Sequence, residues 1–125
     1  MQPVTLSGVT IPYKGNGRKL GYPTANLSVA TDLADGVYFG FADLGELKDR
    51  PALIFIGVPI TVGDTERRVE AHLLDVSDKD YYGQSMTLRI SHYHRPNQPF
   101  ENIGQLIEAI KADEAVARQW FKAAS

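Results

Sequence analysis

The sequence predicts a mainly β protein, an antiparallel β-barrel followed by a C-terminal α-helix. Short β-branched and aromatic runs alternate with Gly, Pro and Asp through the middle of the chain, which is typical of consecutive strands. The connections at residues 45–49 and 63–66 are short enough for hairpins, which favours antiparallel pairing. A barrel would leave no exposed strand edges.

The elements follow from local patterns. Strands are predicted at residues 6–11, 36–43, 52–56, 69–74 and 86–92, with a further short strand after Pro23. One helical face then carries the apolar residues Ile103, Leu106, Ile107, Ile110, Ala117 and Phe121. Asn102, with Gln105 three residues later, forms a capping-box sequence at the helix start. We expect the helix to cover one opening of the barrel.

Length and charge narrow the classes of function. A chain of 125 residues can bury a core without disulfides, and we expect a single domain over residues 1–125. Its 13 basic and 15 acidic residues do not create the dense positive field that nonspecific nucleic-acid binding requires. We therefore expect no nucleic-acid partner, and any bound phosphate must be held by a local group of residues.

Cysteine content and hydropathy bear on chemistry and location. The sequence has no cysteine, which excludes thiolate catalysis, disulfides and Cys-ligated zinc. No segment has the length of a membrane span, and the N-terminus lacks the charged and apolar regions of a secretory signal. We expect a cytoplasmic monomer without a membrane partner.

The segment at residues 15–26 is the first candidate for a functional site. Closely spaced glycines let backbone N–H groups converge on an anion, and basic side chains add charge. These residues are Gly15, Gly17, Arg18, Lys19 and Gly21, preceded by Lys14. The segment is not a Walker A loop, because Gly-x4-Gly-Lys-Ser/Thr is absent. It is predicted to hold the phosphates of a nucleotide.

The second half of this segment is suited to a metal ion. Thr24 and Asn26, which follow Pro23, are two residues apart, so on an extended strand both side chains point the same way. They offer two neutral oxygens to a hard cation such as Mg²⁺. The alternative is a flexible glycine- and lysine-rich hairpin followed by an ordinary strand start.

The combined pattern resembles the riboflavin kinase family. Residues 17–27 read Gly-Arg-x-Leu-Gly-x-Pro-Thr-Ala-Asn-Leu, which is similar to that family's signature. Further pieces follow in the family's order: Gly36-Val37-Tyr38, Ile56-Gly57, residues 69–75 with Glu70 and His72, Tyr82-Gly83, Arg95 and Phe100. The resemblance covers nearly the whole chain.

This resemblance implies a six-stranded Greek-key barrel with a C-terminal helix that binds ATP and riboflavin on either side of the site. By analogy, Thr24 and Asn26 hold Mg²⁺, or another divalent metal, with the nucleotide phosphates. Glu70 acts as general base on the ribityl 5′-hydroxyl, and the products are FMN and ADP. Phosphoryl transfer needs such positioning and charge neutralisation. Bifunctional relatives carry an additional adenylyltransferase module, so we expect this chain to stop at FMN.

Some of these positions have simpler interpretations. Val69, Ala71 and Leu73 would face the core, so spacing alone places Glu70 and His72 on a solvent-exposed strand face. We interpret His72 as a strand or site-rim residue. A pair of histidines on one face of the last strand, His92 and His94, makes a weak zinc site without a carboxylate or cysteine nearby.

The candidate flavin contacts are also open to two interpretations. Arg95 matches an arginine in a family flap that closes over flavin and nucleotide, but it could equally be a surface-loop arginine. The aromatic residues either stack on the isoalloxazine ring or pack the core. They are Tyr81, Tyr82, Trp120 and Phe121.

Three positions depart from the family pattern: Tyr13, Ile60 in the Ile60-Thr61 pair that matches a Pro-Thr of the family, and Asn97. They motivate an alternative function, a noncatalytic flavin- or nucleotide-binding barrel that acts as a sensor or carrier. A structural interaction module is a third class, which would leave residues 14–26 without a purpose. The presence of Glu70 favours the enzyme, because a pure binder needs no base there.

Overall fold

Six β-strands and one long α-helix make up the described part of the chain. The computed structural model describes residues 1–11, 24–63, 65–76, 81 and 83–124. The elements are β1 Val4–Ile11, β2 Thr24–Leu27, β3 Gly36–Leu44, β4 Leu47–Gly57, a 3₁₀ turn Ile60–Val62, β5 Arg68–Leu73, β6 Ser85–Arg95 and α1 Ile103–Ala124. No helix in these ranges is long and apolar enough to cross a bilayer.

The strands close into a barrel in the order β1-β2-β5-β4-β3-β6, with β6 returning to β1. All neighbouring pairs are antiparallel. Strands β3, β4 and β5 lie side by side, and β6 returns to the other side of β3, which is the Greek-key arrangement. The six-stranded antiparallel Greek-key barrel is therefore confirmed.

Alternating side chains from the strands fill the barrel interior. Ile54 and Ile56 of β4 are completely buried there together with Leu88 and Ile90 of β6. Burial of a large aliphatic side chain contributes about 1.5–3 kcal/mol. Because one face of each strand is used in this way, the residues between them point outward and are available for a site.

Helix α1 packs against the outer wall of the barrel. Phe39 and Leu53 are register partners on β3 and β4, and they point away from the interior. Ala117, Trp120 and Phe121 of α1 cover them. The expectation that the helix covers a barrel opening was therefore wrong, because the apolar strip that it buries lies on the wall.

The helix begins where the capping sequence predicts. The Asn102 Oδ1 accepts a hydrogen bond of 2.9 Å from the Gln105 backbone N–H. The Gln105 side chain accepts from the Glu101 N–H at 3.0 Å rather than from Asn102 itself. The predicted N-cap at Asn102 is confirmed. The reciprocal bond of the capping box comes from the N–H of Glu101, one residue before the N-cap residue.

The β3–β4 hairpin is longer than its hydrophobic pattern indicates. Strand β4 starts at Leu47 rather than 52, because exposed polar residues extend the ladder beyond the core. Arg89 of β6 joins this extension by pairing with Asp43 at 2.9 and 3.0 Å and with Asp49. The hydrogen bonds that Asp43 accepts from Arg89 and from the Asp49 backbone N–H lower the Asp43 pKa to about 2. Ion pairs thus stabilise a ribbon that hydrophobic spacing cannot reveal.

Candidate active site

The outer face of β5 carries two buried polar side chains. Val69, Ala71 and Leu73 face the core as predicted. Glu70 and His72 point the other way, yet each is only 8% exposed. The expectation of a solvent-exposed face was wrong, because α1 and the segments at residues 59–61 and 95–100 enclose this side of the strand.

Glu70 and His72 lie close together within this enclosed space. His72 Nε2 is 3.5 Å from Glu70 Oε1. Burial lowers the His72 pKa to about 4, and the Asp113 carboxylate acts in the opposite direction. The imidazole is therefore neutral near pH 7, so it does not neutralise the Glu70 carboxylate.

Asn26 stands directly opposite Glu70. The two residues are register partners in the β2–β5 ladder. Ala25 and Leu27 point into the core, so Asn26 shares the outer face with Glu70. The Asn26 Oδ1 is buried and accepts no hydrogen bond from any residue in the described ranges.

The donor set around this pair suits a hard cation. An amide oxygen without a protein donor is a fitting ligand for a metal such as Mg²⁺, and Glu70 adds negative charge nearby. Thr24 is the strand partner of His72, so its backbone lies at the same place in the ladder. The Thr24 side chain lies outside the described part of the structure.

An apolar pocket lies between the barrel wall and α1. Its lining is mostly apolar, with a small number of polar groups that converge on one side, the usual composition of a small-molecule site. The apolar residues are Val37, Leu53, Phe55, Ile60, Phe100, Leu106 and Ile110, and the polar ones include Glu70, His72, Arg95, Asn97 and Asp113. Glu70 therefore faces a pocket whose lining suits a small molecule.

A second pocket with a more polar lining, the polar pocket, lies beside Asn26. Ser28, Arg67 and Arg68 line it together with Asn26. Arg67 is fixed by a 2.8 Å ion pair with Asp35 and by bonds to nearby carbonyl oxygens. The Asn26–Glu70 pair thus stands between two pockets, one on each side.

Arg95 is the last residue of β6, and its side chain is held at the apolar pocket. The Nε and Nη2 atoms donate to the two carboxylate oxygens of Asp113, each at 2.8 Å. The guanidinium also lies 5.8 Å from the centre of the Phe100 ring. The alternative of a surface-loop arginine is therefore wrong.

Asp113 was missed by sequence reasoning. It is only 4% exposed, and it also contacts His94 Nε2 at 3.0 Å. The sequence pattern did indicate a special role for Asp113, since this residue stands between Ile110 and Ala117 on the apolar face of α1. A charged residue in such a stripe indicates a buried partner.

Two hydrogen bonds join the segments that border the apolar pocket. Thr61 Oγ1 accepts from the Phe100 N–H at 3.1 Å, and Asn97 Nδ2 donates to the Val58 carbonyl at 3.3 Å. A Cβ on Gly57 would lie 2.8 Å from Asn97 Nδ2, and the φ of 148° also favours glycine there. Asn97 departs from the family pattern, and Thr61 directly follows the departure at Ile60. Here both residues connect neighbouring segments.

Several proposed residues lie outside the described part of the chain, namely Tyr13, Gly15, Gly17, Arg18, Lys19, Gly21, Pro23 and Tyr82. Three of the other aromatic candidates pack within the protein: Tyr81 in the barrel core, and Trp120 and Phe121 against Phe39. His92 and His94 both stack on Phe39, and no metal-binding group of three or more His, Cys, Asp or Glu occurs among the described residues.

The fold and the site together define the class of protein. This is a closed Greek-key barrel with a buried carboxylate between two pockets, the arrangement of a small-molecule enzyme. The model of the flavokinase family, riboflavin kinase, matches residues 1–121, and the chain therefore belongs to the riboflavin kinase family, a family of enzymes.

Curated relatives agree with this assignment. Human riboflavin kinase is 29% identical over 124 residues, which cover 94% of this chain and 80% of that protein. The Escherichia coli K12 bifunctional riboflavin kinase/FMN adenylyltransferase is 34% identical, over 95% of this chain and 38% of that protein. The trifunctional protein RibF/MnmA of Mycoplasmoides gallisepticum is 32% identical, over 97% of this chain and 19% of that protein. The chain thus spans a small part of some relatives and most of others.

Solved structures share the fold. Riboflavin kinase from Trypanosoma brucei matches 98% of this chain and 82% of its own, with a TM-score of 0.74 and 21% identity. A Streptococcus pneumoniae structure described as a macrolide-efflux protein matches 94% of this chain and 39% of its own, with a TM-score of 0.79 and 31% identity. The barrel with its C-terminal helix is therefore an architecture that this chain shares with a riboflavin kinase.

Proposed function

We propose that this chain transfers the γ-phosphoryl group of ATP to the 5′-hydroxyl of riboflavin, giving FMN and ADP. Membership of the riboflavin kinase family supports the reaction. The observation that carries the proposal is the position of Glu70, a buried carboxylate opposite Asn26 and between two pockets. A molecule that only binds flavin has no need of a carboxylate there.

Glu70 is the proposed general base. As the ribityl oxygen bonds to the γ-phosphorus and the bond from that phosphorus to the β-phosphate bridging oxygen breaks, Glu70 accepts the hydroxyl proton. The neighbouring His72 is neutral because burial lowers its pKa to about 4. Glu70 Oε1 lies 3.5 Å from His72 Nε2, and the Glu70 carboxylate is the proposed acceptor of this proton.

Asn26 and Thr24 are the proposed ligands of a divalent metal, with Mg²⁺ as the first candidate. The metal would neutralise negative charge on the nucleotide phosphates. Support comes from the buried Asn26 Oδ1, which no described residue bonds, and from the β2–β5 register, which puts Asn26 opposite Glu70. Asn26 thus places the oxygen of a potential ligand on the same strand face as the base.

The two substrates are proposed to approach from opposite sides of the Asn26–Glu70 pair. The apolar pocket has the kind of lining that an isoalloxazine ring requires, with Arg95 and Asn97 as polar groups at its wall. The nucleotide would lie on the side of the polar pocket, where Arg67 and Arg68 add positive charge. The glycine-rich segment at residues 15–23 would hold its phosphates.

The proposed function also includes a domain organisation, an oligomeric state and a location. We propose that residues 1–125 act as one domain, as a monomer in the cytoplasm. The covered length of the human enzyme supports a kinase unit of this size. The alternative, a flavin or nucleotide carrier without turnover, is favoured only by the departures at Tyr13, Ile60 and Asn97.

A direct assay separates the two functions. The purified chain is mixed with riboflavin, ATP and Mg²⁺, and the flavins are resolved by chromatography. We expect FMN to accumulate together with an equal amount of ADP. The same assay without ATP controls for contaminating FMN, and no FMN with any of several nucleotides and divalent metals would refute the kinase.

A further inference from the structure

The Arg95–Asp113 pair joins the end of β6 to the middle of α1 at the wall of the apolar pocket. Both side chains line that pocket, and they are 20% and 6% exposed. The two N–H···O bonds run in parallel, which fixes the plane of the guanidinium as well as its position. The orientation of Arg95 is therefore set by a residue of the helix.

The pair leaves part of the Arg95 hydrogen-bonding capacity available. Guanidinium has five N–H donors, and in the described structure two are used on Asp113 and one on the Pro96 carbonyl at 3.2 Å. The others are available to a ligand in the pocket. A flavin presents carbonyl oxygens on its polar edge, which are acceptors of the kind that an oriented guanidinium recognises.

We propose that Asp113 is a positioning residue for flavin binding, which holds the Arg95 guanidinium in the orientation that meets the flavin. This inference rests on the proposed function and adds a residue to it. Asp113 acts through Arg95 and contacts neither reacting atom. The helix thereby contributes to substrate affinity as well as to the stability of the fold.

The chain contains a second pair that serves as a control. Arg118 of α1 donates two bonds of 3.0 Å to Asp75, just after β5, so this pair also joins the helix to the barrel through a bidentate contact. Neither Asp75 nor Arg118 lines either pocket, and Asp75 is 73% exposed. A variant at Asp75 therefore removes a helix–barrel contact without touching the flavin site.

The test measures kcat and KM for riboflavin and for ATP in five proteins. They are the unsubstituted chain, Asp113→Asn, Arg95→Gln, the double variant and Asp75→Asn. We expect Asp113→Asn to raise the riboflavin KM by about tenfold or more, with the ATP KM changed by less than about twofold. The double variant should be no worse than Arg95→Gln, because Asp113 acts only through Arg95. Asp75→Asn should leave both KM values unchanged.

A purely structural role gives a different result. It would lower the melting temperature of Asp113→Asn while the folded protein keeps its riboflavin KM, and this outcome would overturn the inference. If Asp113→Asn does not fold, Asp113→Glu decides, because it keeps the buried charge but displaces the guanidinium by one methylene. A rise of at least threefold in the riboflavin KM, equivalent to on the order of 0.7 kcal/mol of binding free energy, supports the inference. An unchanged KM refutes it.

Failure of the proposed function would be distinguishable from failure of this inference. In that case the unsubstituted chain forms no FMN, whereas failure of this inference leaves FMN formation intact and only the Asp113 variants unaffected. Riboflavin affinity can still be measured without turnover, by the quenching of flavin fluorescence. Equal affinities of the unsubstituted chain and Asp113→Asn would overturn the inference in either case.

Discussion

Asn26 and Glu70 face each other across the β2–β5 ladder with both side chains buried, Asn26 at the polar pocket and Glu70 at the apolar pocket. Directly opposite residues on one face of an antiparallel pair have Cβ atoms about 4.5–5.5 Å apart. A metal held by Asn26 and a proton acceptor at Glu70 would thus act on neighbouring atoms. This relationship leads to the first prediction.

Asn26→Ala should weaken nucleotide binding only when a divalent metal is present. The buried Oδ1 has no hydrogen-bond donor in the described ranges, so its removal costs no protein hydrogen bond at that atom. We expect the ATP affinity with Mg²⁺ to fall by about tenfold or more, as for the loss of one charge-assisted contact. Calorimetric titration with and without Mg²⁺ measures this. Ser28→Ala, in the same pocket, is the control, and an unaltered metal requirement in Asn26→Ala would count against ligation.

Stability should depend on pH through His72. Its pKa is about 4 in the folded chain and 6.5 when unfolded, so between these values the unfolded state binds a proton that the folded state does not. The free energy of unfolding therefore falls as pH decreases from 6.5 towards 4, by up to about 3 kcal/mol. Urea unfolding of the wild type and His72→Gln over this range measures the difference. Curves that run parallel would show that His72 does not cause the loss.

The N-cap of α1 should make a measurable contribution to stability. Asn102→Ala removes the acceptor for the Gln105 N–H, and we expect a loss of about 1 kcal/mol in the free energy of unfolding. Asn102→Asp keeps an equally good capping oxygen and serves as the control. Urea unfolding monitored by circular dichroism compares the three proteins. Equal stabilities for all three would mean that the cap bond is not formed in solution.

Gly57 should be required for the position of Asn97. Gly57→Ala places a methyl group 2.8 Å from Asn97 Nδ2, whereas at Gly63, with a φ of 82°, a Cβ meets no described atom within 4 Å. Both alanine variants strain the backbone by about 1–3 kcal/mol. Only Gly57→Ala should also raise the riboflavin KM, because Asn97 lines the apolar pocket. Steady-state kinetics on both variants compares them, and equal KM values would separate Asn97 from flavin binding.

The sequence predicted the elements that depend on local pattern. Alternation along β5 correctly assigned Val69, Ala71 and Leu73 to the core, and the capping sequence located the start of α1. The same alternation could not reveal that Glu70 is buried. Burial of the second strand face depends on where a helix more than thirty residues later packs, and no local spacing contains that information.

The position of the helix was the principal error, and it explains what the sequence missed in the site. A periodic stripe shows that a helix buries one face but not which surface it meets. Because α1 lies on the outer wall, Asp113 contacts Arg95, and the helix helps to enclose Glu70 and His72. Asp113 is the single charged residue within that apolar stripe, and it was the feature of the sequence that indicated the contact with Arg95.

The central claim is that Glu70 accepts the hydroxyl proton, and Glu70→Gln tests it most directly. Glutamine keeps the shape and the hydrogen-bonding capacity of the side chain but is not a base at neutral pH. We predict that FMN formation under saturating riboflavin and ATP slows by about 10²–10⁴-fold, while the affinity for ATP with Mg²⁺ changes by less than about threefold. Turnover within about threefold of the unsubstituted chain would contradict the account.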